Sequence, residues 1–359
     1  MRQVLVRKRN ILFIGGSLNQ TTMMHKISKH FPSDNLYFTP YYGEGYLHLL
    51  RRAGLLDFSI LGGKFFESTM HYFKENNLKV DYRGRSHKYD LVFTCQDLIL
   101  PNNIRGSRVV LVQEGMTDPE NLVYYLVKYL KLPRYFASTS VTGLSHGYDR
   151  FCVASEGYRE HFIKKGVRPE KIVVTGIPNF DDCEQFRTNN FPHKNFVLVA
   201  TSDARETWKF ENRKAFILDA VKIADGRKLI FKLHPNENIE RATAEINKFA
   251  PGALIYSSGK IEEMIANAEV LITKYSSTAY VGLALGKEVH SYFELDELKR
   301  MMPIQNAGDS ARRIAEVGKE LLEIPLDVLK SRKRRFPGRN FSKSNRRRIS
   351  IPLEENLNK

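Results

Sequence analysis

The chain holds only three cysteines in 359 residues, Cys95, Cys152 and Cys183, an odd number with no paired spacing. That argues against a disulfide-framed secreted domain and a structural zinc site alike. Cys95 and Cys152 fall in apolar runs and read as core residues. No stretch approaches the roughly 20 apolar residues of a membrane-spanning helix. The run Ile11-Leu12-Phe13-Ile14 also falls short of the about 7–15 apolar residues of a secretory core, and it is expected to be the first strand of a cytoplasmic protein. A complete G-x-G-x-x-G fingerprint is missing, so Gly15-Gly16-Ser17 makes only a weak dinucleotide site. The aspartate-any-aspartate metal motif is missing too, and chemistry without a protein-bound metal is expected. Acidic residues are absent from 330–348, where ten Lys and Arg carry most of a formal net charge of +16. That tail, with Phe336, Phe341 and Ile349 interspersed, suits an anionic membrane surface better than nucleic acid, for which no motif is present. A solvated terminus without a partner is the alternative.

What the chain does contain is an alternation of strand and helix signals. Strands are expected over 10–16, 89–95, 108–113, 150–154 and 171–175, and again over 195–201, 228–233, 253–256 and 270–273. The polar gap around 181–194, with Asn189-Asn190-Phe191-Pro192, reads as a linker. The division is then 1–180, 195–325 and a basic tail 326–359. The expected fold class is α/β, with two Rossmann-like domains whose parallel sheets face a central cleft where strand ends deliver side chains.

Two of those strand ends carry the chemistry. Phe231-Lys232-Leu233-His234-Pro235 and Leu271-Ile272-Thr273-Lys274-Tyr275-Ser276-Ser277-Thr278 are apolar runs that end in polar or turn-forming residues. A histidine fixed by a following proline can donate to a phosphate oxygen, and paired hydroxyls can take another. A strand-ending turn and a capping cluster are the plain alternatives. Lys232 and Lys274 would strengthen the phosphate field if they faced it. In the first half, Gln113-Glu114-Gly115 closes the run Val109-Val110-Leu111-Val112, and a carboxylate beside a flexible glycine is what a general base needs. A helix-starting glutamate is the alternative there. Asp97 and Asp203 are weaker candidates, and His146 and His290 could reach the cleft. Tyr41 to Tyr46 and Leu61 to Lys64 suit an acceptor surface as well as ordinary loop packing.

Together these elements resemble the two-Rossmann-domain (GT-B) glycosyltransferases. Within them the His-Pro and Ser-Ser pair is similar to capsular sialyl- and 3-deoxy-manno-octulosonate transferases and to CDP-glycerol glycerophosphotransferases. The resemblance implies a metal-independent transferase, with no cofactor beyond its CMP- or CDP-linked nucleotide-sugar donor. It implies a glycan or lipid-linked acceptor at the inner face of the cell membrane. Glu114 would deprotonate the acceptor and His234 would assist the leaving group. Gly16, Ser17, Lys232, Pro235, Ser276, Ser277 and Thr278 would bind the donor. Gln113 and Thr273-Lys274-Tyr275 depart from the pattern, which often has a second carboxylate and Thr-Asp-Tyr. Glu114-Gly115-Met116 and His234-Pro235-Asn236 also resemble UDP-N-acetylglucosamine 2-epimerases, the alternative function.

Overall fold

The computed structural model describes residues 7–334, apart from 58, 131 and 207–209. The basic stretch from 335 onward, expected to meet a membrane, therefore lies outside the described residues. The first half runs β1 (Asn10–Ile14), α1 (Leu18–Ser28), β2 (Asn35–Thr39), α2 (Tyr46–Arg52), α3 (Gly63–Glu75), β3 (Leu91–Thr94), β4 (Arg108–Val112), α4 (Leu122–Leu130), β5 (Arg150–Val153), α5 (Glu156–Lys165) and β6 (Ile172–Val174). Its strands form one sheet in the order β2-β1-β3-β4-β5-β6, with every pair parallel. The second half runs β7 (Val197–Ala200), α6 (Arg213–Ala224), β8 (Leu229–Lys232), α7 (Ile239–Phe249), β9 (Leu254–Tyr256), α8 (Ile261–Asn267), β10 (Val270–Ile272), α9 (Thr278–Ala284), β11 (Glu288–His290), α10 (Leu295–Met301) and α11 (Ser310–Glu323). Its sheet, also parallel, has the order β11-β10-β7-β8-β9.

Parallel strands need cover on both faces, and the central strands here read as unbroken apolar runs for that reason. Ile11, Leu12, Phe13, Val92, Phe93, Val110 and Leu111 are inaccessible to solvent. Phe38, Phe13 and Phe93 share one register across β2, β1 and β3. Their rings stack with centroids 5.2 Å apart on both sides of Phe13, so three neighbouring strands are locked by one aromatic row. The strand β2 was not expected from the sequence. It is five residues long, begins at a polar Asn35 and is marked only by Tyr37 and Phe38.

Strand order reverses between β1 and β3 in one sheet and between β7 and β10 in the other. Such switch points leave a crevice beyond the carboxyl ends of the strands, which is where ligands bind in open α/β sheets.

Two findings adjust the expected division. Segment 181–194 is anchored on the second sheet: Cys183 is buried with Phe196, Leu198 and Ile230, with Phe186 and Phe191 packed against them. Helix α11, placed in the second half by sequence, packs instead on the first through α1 and β4. The Arg108 Nε donates to the Leu321 carbonyl at 2.7 Å. The crossing that leads there is tied to the earlier one, with the Ser310 amide donating to Asp181 Oδ2 at 2.9 Å. Both sheets belong to one compact unit that ends at Glu323, and Ile324–Lys359 forms another. In the latter, α12 (Leu326–Arg334) carries Asp327 in its first turn, where a carboxylate meets the positive end of the helix dipole.

Glycine permits the close seating of α11. A Cβ on Gly318 would lie 2.6 Å from Phe93 Cζ and 2.9 Å from Leu91 Cδ2. Gly318→Ala is therefore expected to cost about 1–3 kcal/mol by overpacking, measured by urea denaturation. An unchanged midpoint would show that the helix is not held this tightly.

Candidate functional site

Glu114 is the best-positioned polar group at the first switch point. It follows β4, and three side chains from the β1–α1 turn converge on it. Ser17 Oγ donates to Oε1 at 2.7 Å, Gln20 Nε2 to Oε2 at 2.6 Å, and Asn19 Nδ2 reaches Oε1 at 3.4 Å. Ser17 is itself fixed, because it caps α1 by accepting from the Gln20 amide at 3.2 Å. A Cβ on Gly16 would fall 2.2 Å from Gln20 Oε1 and displace the amide that holds Glu114. The Gly16 carbonyl is taken by Thr69 Oγ1 at 2.8 Å. Gly16 and Ser17, expected to touch a donor, thus also hold the carboxylate.

Gln113, where a second carboxylate was considered, faces the protein wall. Its Oε1 accepts from the Ala154 amide at 2.9 Å and its Nε2 donates to the Gly115 carbonyl at 2.8 Å. A carboxylate could not make the second bond. Glutamine therefore braces β4 against the residue after β5 and fixes the peptide that carries Glu114.

Glu114 lines two contiguous cavities. The larger, about 910 Å³, is walled by Ser17, Gln20 and Tyr41 on one side and by Asp203, Glu206 and Asn236 of the second half on another. Leu61, Gly63 and Lys64 of the expected acceptor segment line it as well, with Tyr135 and Phe136. The smaller, about 210 Å³, shares Gln96, Glu114 and Thr139 and ends on Ser277. A Cβ on Gly115 would sit 3.2 Å from Ser277 Oγ, so glycine lets the two halves approach there. A carboxylate from one sheet and a hydroxyl from the other thus share one cleft.

His234 follows β8 and is held from behind. Its amide donates to Thr201 Oγ1 at 3.0 Å, and Thr201 Oγ1 donates to Glu237 Oε2 at 2.5 Å. Its Nδ1 accepts from the Asn236 amide at 3.3 Å, with Asp203 Oδ2 at 3.6 Å. Burial, aided by Lys232, lowers its pKa below the usual histidine value, and Asp203 opposes that. The ring is then neutral at pH 7, and with Nδ1 accepting, its proton sits on Nε2 as a donor. Asp203 and Asn236 carry this corner into the large cavity, and the Asn236 amide group donates to Asp203 Oδ2 at 3.1 Å.

Ser276 and Thr278 bond to each other, with Thr278 Oγ1 to Ser276 Oγ at 2.9 Å and the Thr278 amide to the same oxygen at 3.3 Å. Ser276 therefore takes the first amide of α9, while Ser277, at the N-cap position, makes no side-chain capping bond. Both lysines make contacts within the second half. Lys232 is buried, and its Nζ donates to the carbonyls of Leu233 at 3.0 Å and Ser257 at 3.3 Å. Lys274 lies 2.7 Å from Glu211 Oε1 and over the Phe216 ring, inside the second half. Pro235 is exposed.

The secondary candidates separate as well. Asp97 is buried and accepts from the amides of Gly143 and Ser145 at 3.1 Å, a role in loop structure. His146 precedes the amino end of β5, where Lys171 binds its carbonyl at 3.0 Å, on the edge opposite the cleft. His290 lines a different cavity, with Thr273 and Tyr292. Asn19, Gln20, Gln96, Tyr135 and Phe136 were not anticipated. Asn19 and Gln20 carried one usable signal, lying within a turn of the Gly-Gly-Ser element.

No protein-family model matches the chain, and no curated protein does. Solved structures match over nearly the whole length. A UDP-N-acetylglucosamine 2-epimerase from Neisseria meningitidis bound to UDP-GlcNAc is 12% identical with TM-score 0.53, covering 87% of this chain and 100% of its own. The MnaA–UDP structure from S. aureus is 13% identical with TM-score 0.51, covering 89% of each chain. The wall teichoic acid polymerase TagF is 12% identical with TM-score 0.48, covering 89% of this chain and 90% of its own. The epimerase likenesses, together with the two parallel sheets and the cleft between them, show that this chain has the GT-B fold.

Proposed function

We propose that the protein is a metal-independent transferase that moves a sugar, or a polyol phosphate, from a CMP- or CDP-linked donor to a glycan or lipid-linked acceptor. The observation that carries this reading is the meeting of Glu114 and Ser277, from opposite sheets, in one cleft with an aromatic mouth. An acceptor hydroxyl entering past Tyr41 and Phe136 gives its proton to Glu114 as its oxygen attacks the transferred group. The bond from that group to the nucleotide phosphate breaks, and the charge on the departing phosphate is met by Ser277 Oγ and the His234 Nε2 proton. Lodging the donor between two sheets excludes water and limits hydrolysis. The acceptor is reached at the inner face of the cell membrane, with the basic tail as one contact.

A second reading, an epimerase acting on UDP-N-acetylglucosamine, is favoured by Glu114 and Asp203 lining one cavity, since epimerisation at carbon needs paired acid and base groups. Nucleotide-dependent thermal shifts separate the two. CMP or CDP is expected to raise the melting temperature selectively, by about 2.7 kcal/mol of apparent stability at a hundredfold excess over Kd. The gain is expected to vanish in His234→Ala and Ser277→Ala. A response to UDP alone would favour the epimerase, and no response to any nucleotide would overturn the phosphate site.

A further inference from the structure

Helix α4 is apolar almost all round yet buries only Tyr124 and Val127, against Ala137 and Val141. Leu122, Tyr129 and Leu130 are 64–74% exposed. Next to it, Tyr46, Leu49 and Leu55 in and after α2 are 57–64% exposed. The two segments meet where Tyr46 and Tyr135 share a hydrogen bond between their hydroxyls at 2.9 Å. Tyr135 and Phe136 also line the Glu114 cavity, so the apolar surface continues to its mouth. Soluble monomers rarely expose so many neighbouring large apolar side chains without a partner for them.

Charge identifies that partner. Residues 45–56 and 121–136 contain no acidic residue, with Asp57 and Glu120 at their borders, and they hold Arg51, Arg52, Lys128, Lys131 and Arg134, of which Arg51 and Arg134 bond to carbonyls of the protein itself. Arg52 and Lys128 are exposed. Leucine and tyrosine flanked by arginine and lysine are the composition of a surface that lies in a bilayer headgroup region. We propose that the face formed by α2, α4 and segment 132–136 docks on an anionic lipid bilayer and sets the mouth of the Glu114 cavity against it. The cavity then takes its acceptor from the bilayer surface, and that clause alone rests on the proposed transferase.

The test uses the full chain and needs no turnover, so its failure is distinct from failure of the transferase reading. Sedimentation with vesicles of phosphatidylglycerol and phosphatidylcholine is compared for the natural chain and for Leu122→Ser/Tyr129→Ser/Leu130→Ser, at salt high enough to screen the basic tail. Binding is expected to fall by about tenfold or more in the triple variant. At low salt, where exposed charge is felt, Arg52→Glu/Lys128→Glu is expected to lower the preference for phosphatidylglycerol over phosphatidylcholine alone, and an unchanged preference would overturn the anionic bilayer as the partner of this face. Both variants alter exposed side chains, and an unchanged near-UV circular dichroism spectrum verifies the fold. Equal vesicle binding by the natural chain and the triple variant would overturn the proposal. So would a natural chain that sediments as a dimer and a triple variant that sediments as a monomer, since the face would then join two copies.

Discussion

Glu114→Gln is expected to lower turnover by about 10²–10⁴-fold, the usual contribution of a positioned base, while nucleotide affinity stays unchanged. The substitution keeps the size of the side chain and removes its capacity to take a proton. Local structure should persist. An amide oxygen can still accept from Gln20 Nε2, and the Ser17 hydroxyl, which now donates at 2.7 Å, can turn to accept from the new NH₂. Calorimetric titration with the nucleotide that stabilises the protein, beside initial rates with an acceptor, separates the effects. Full activity would exclude Glu114 as the base, and loss of nucleotide binding would make it a donor contact. Because Ser17 and Gln20 act through Glu114, Gln20→Ala is expected to lower kcat with little change in the KM for the donor.

The second large effect lies behind His234. Glu211 and Glu237 are almost inaccessible, and Arg213 contacts both, at 3.2 Å from Glu211 and closer to Glu237. Lys274 takes the other Glu211 oxygen. Arg205, doubly bonded to Glu245 at 2.8 and 2.9 Å, lies 3.8 Å from Glu237. Removing one member leaves an uncompensated charge out of water, so Arg213→Met is expected to cost about 3–5 kcal/mol at neutral pH. The pH dependence has a definite sign. Burial already pushes the Glu237 carboxyl above its ordinary pKa, and without Arg213 it rises further. The variant then takes up a proton that the natural protein does not, and the cost shrinks as pH falls. Urea denaturation at pH 7 and pH 5 measures this, and a loss under about 1 kcal/mol at both would show that Arg213 does not compensate Glu237. Since Glu237 also holds Thr201 and the His234 amide, the same variant should weaken nucleotide binding.

Fold and site differed in how far the sequence disclosed them. Central strands such as Val109 to Val112 were legible because parallel strands buried on both faces leave an unbroken apolar run. Strand β2 was missed for the opposite reason, since its first two residues are only partly buried and Asn35 looks like a loop residue. Glu114, His234 and Ser277 could be picked out because each follows such a run. What they touch could not, for the contacts arise between elements distant in sequence. Ser17 meets Glu114 across 97 residues, and no periodicity links them. Lys274 was open between the phosphate field and the surface, and nothing in the sequence marked its partner: Glu211, from the loop before α6, lies 2.7 Å from it.

The return of α11 to the first sheet also imposes an order on biosynthesis. The strands of that sheet are all translated by Val174, yet the helix that covers Leu91 and Phe93 is not complete until Glu323. At about 5–20 residues per second, the interval on the ribosome is on the order of ten seconds. During it Leu91 and Phe93 lack the helix that covers them in the finished protein, so the nascent first half exposes apolar surface that only the end of the second half can bury.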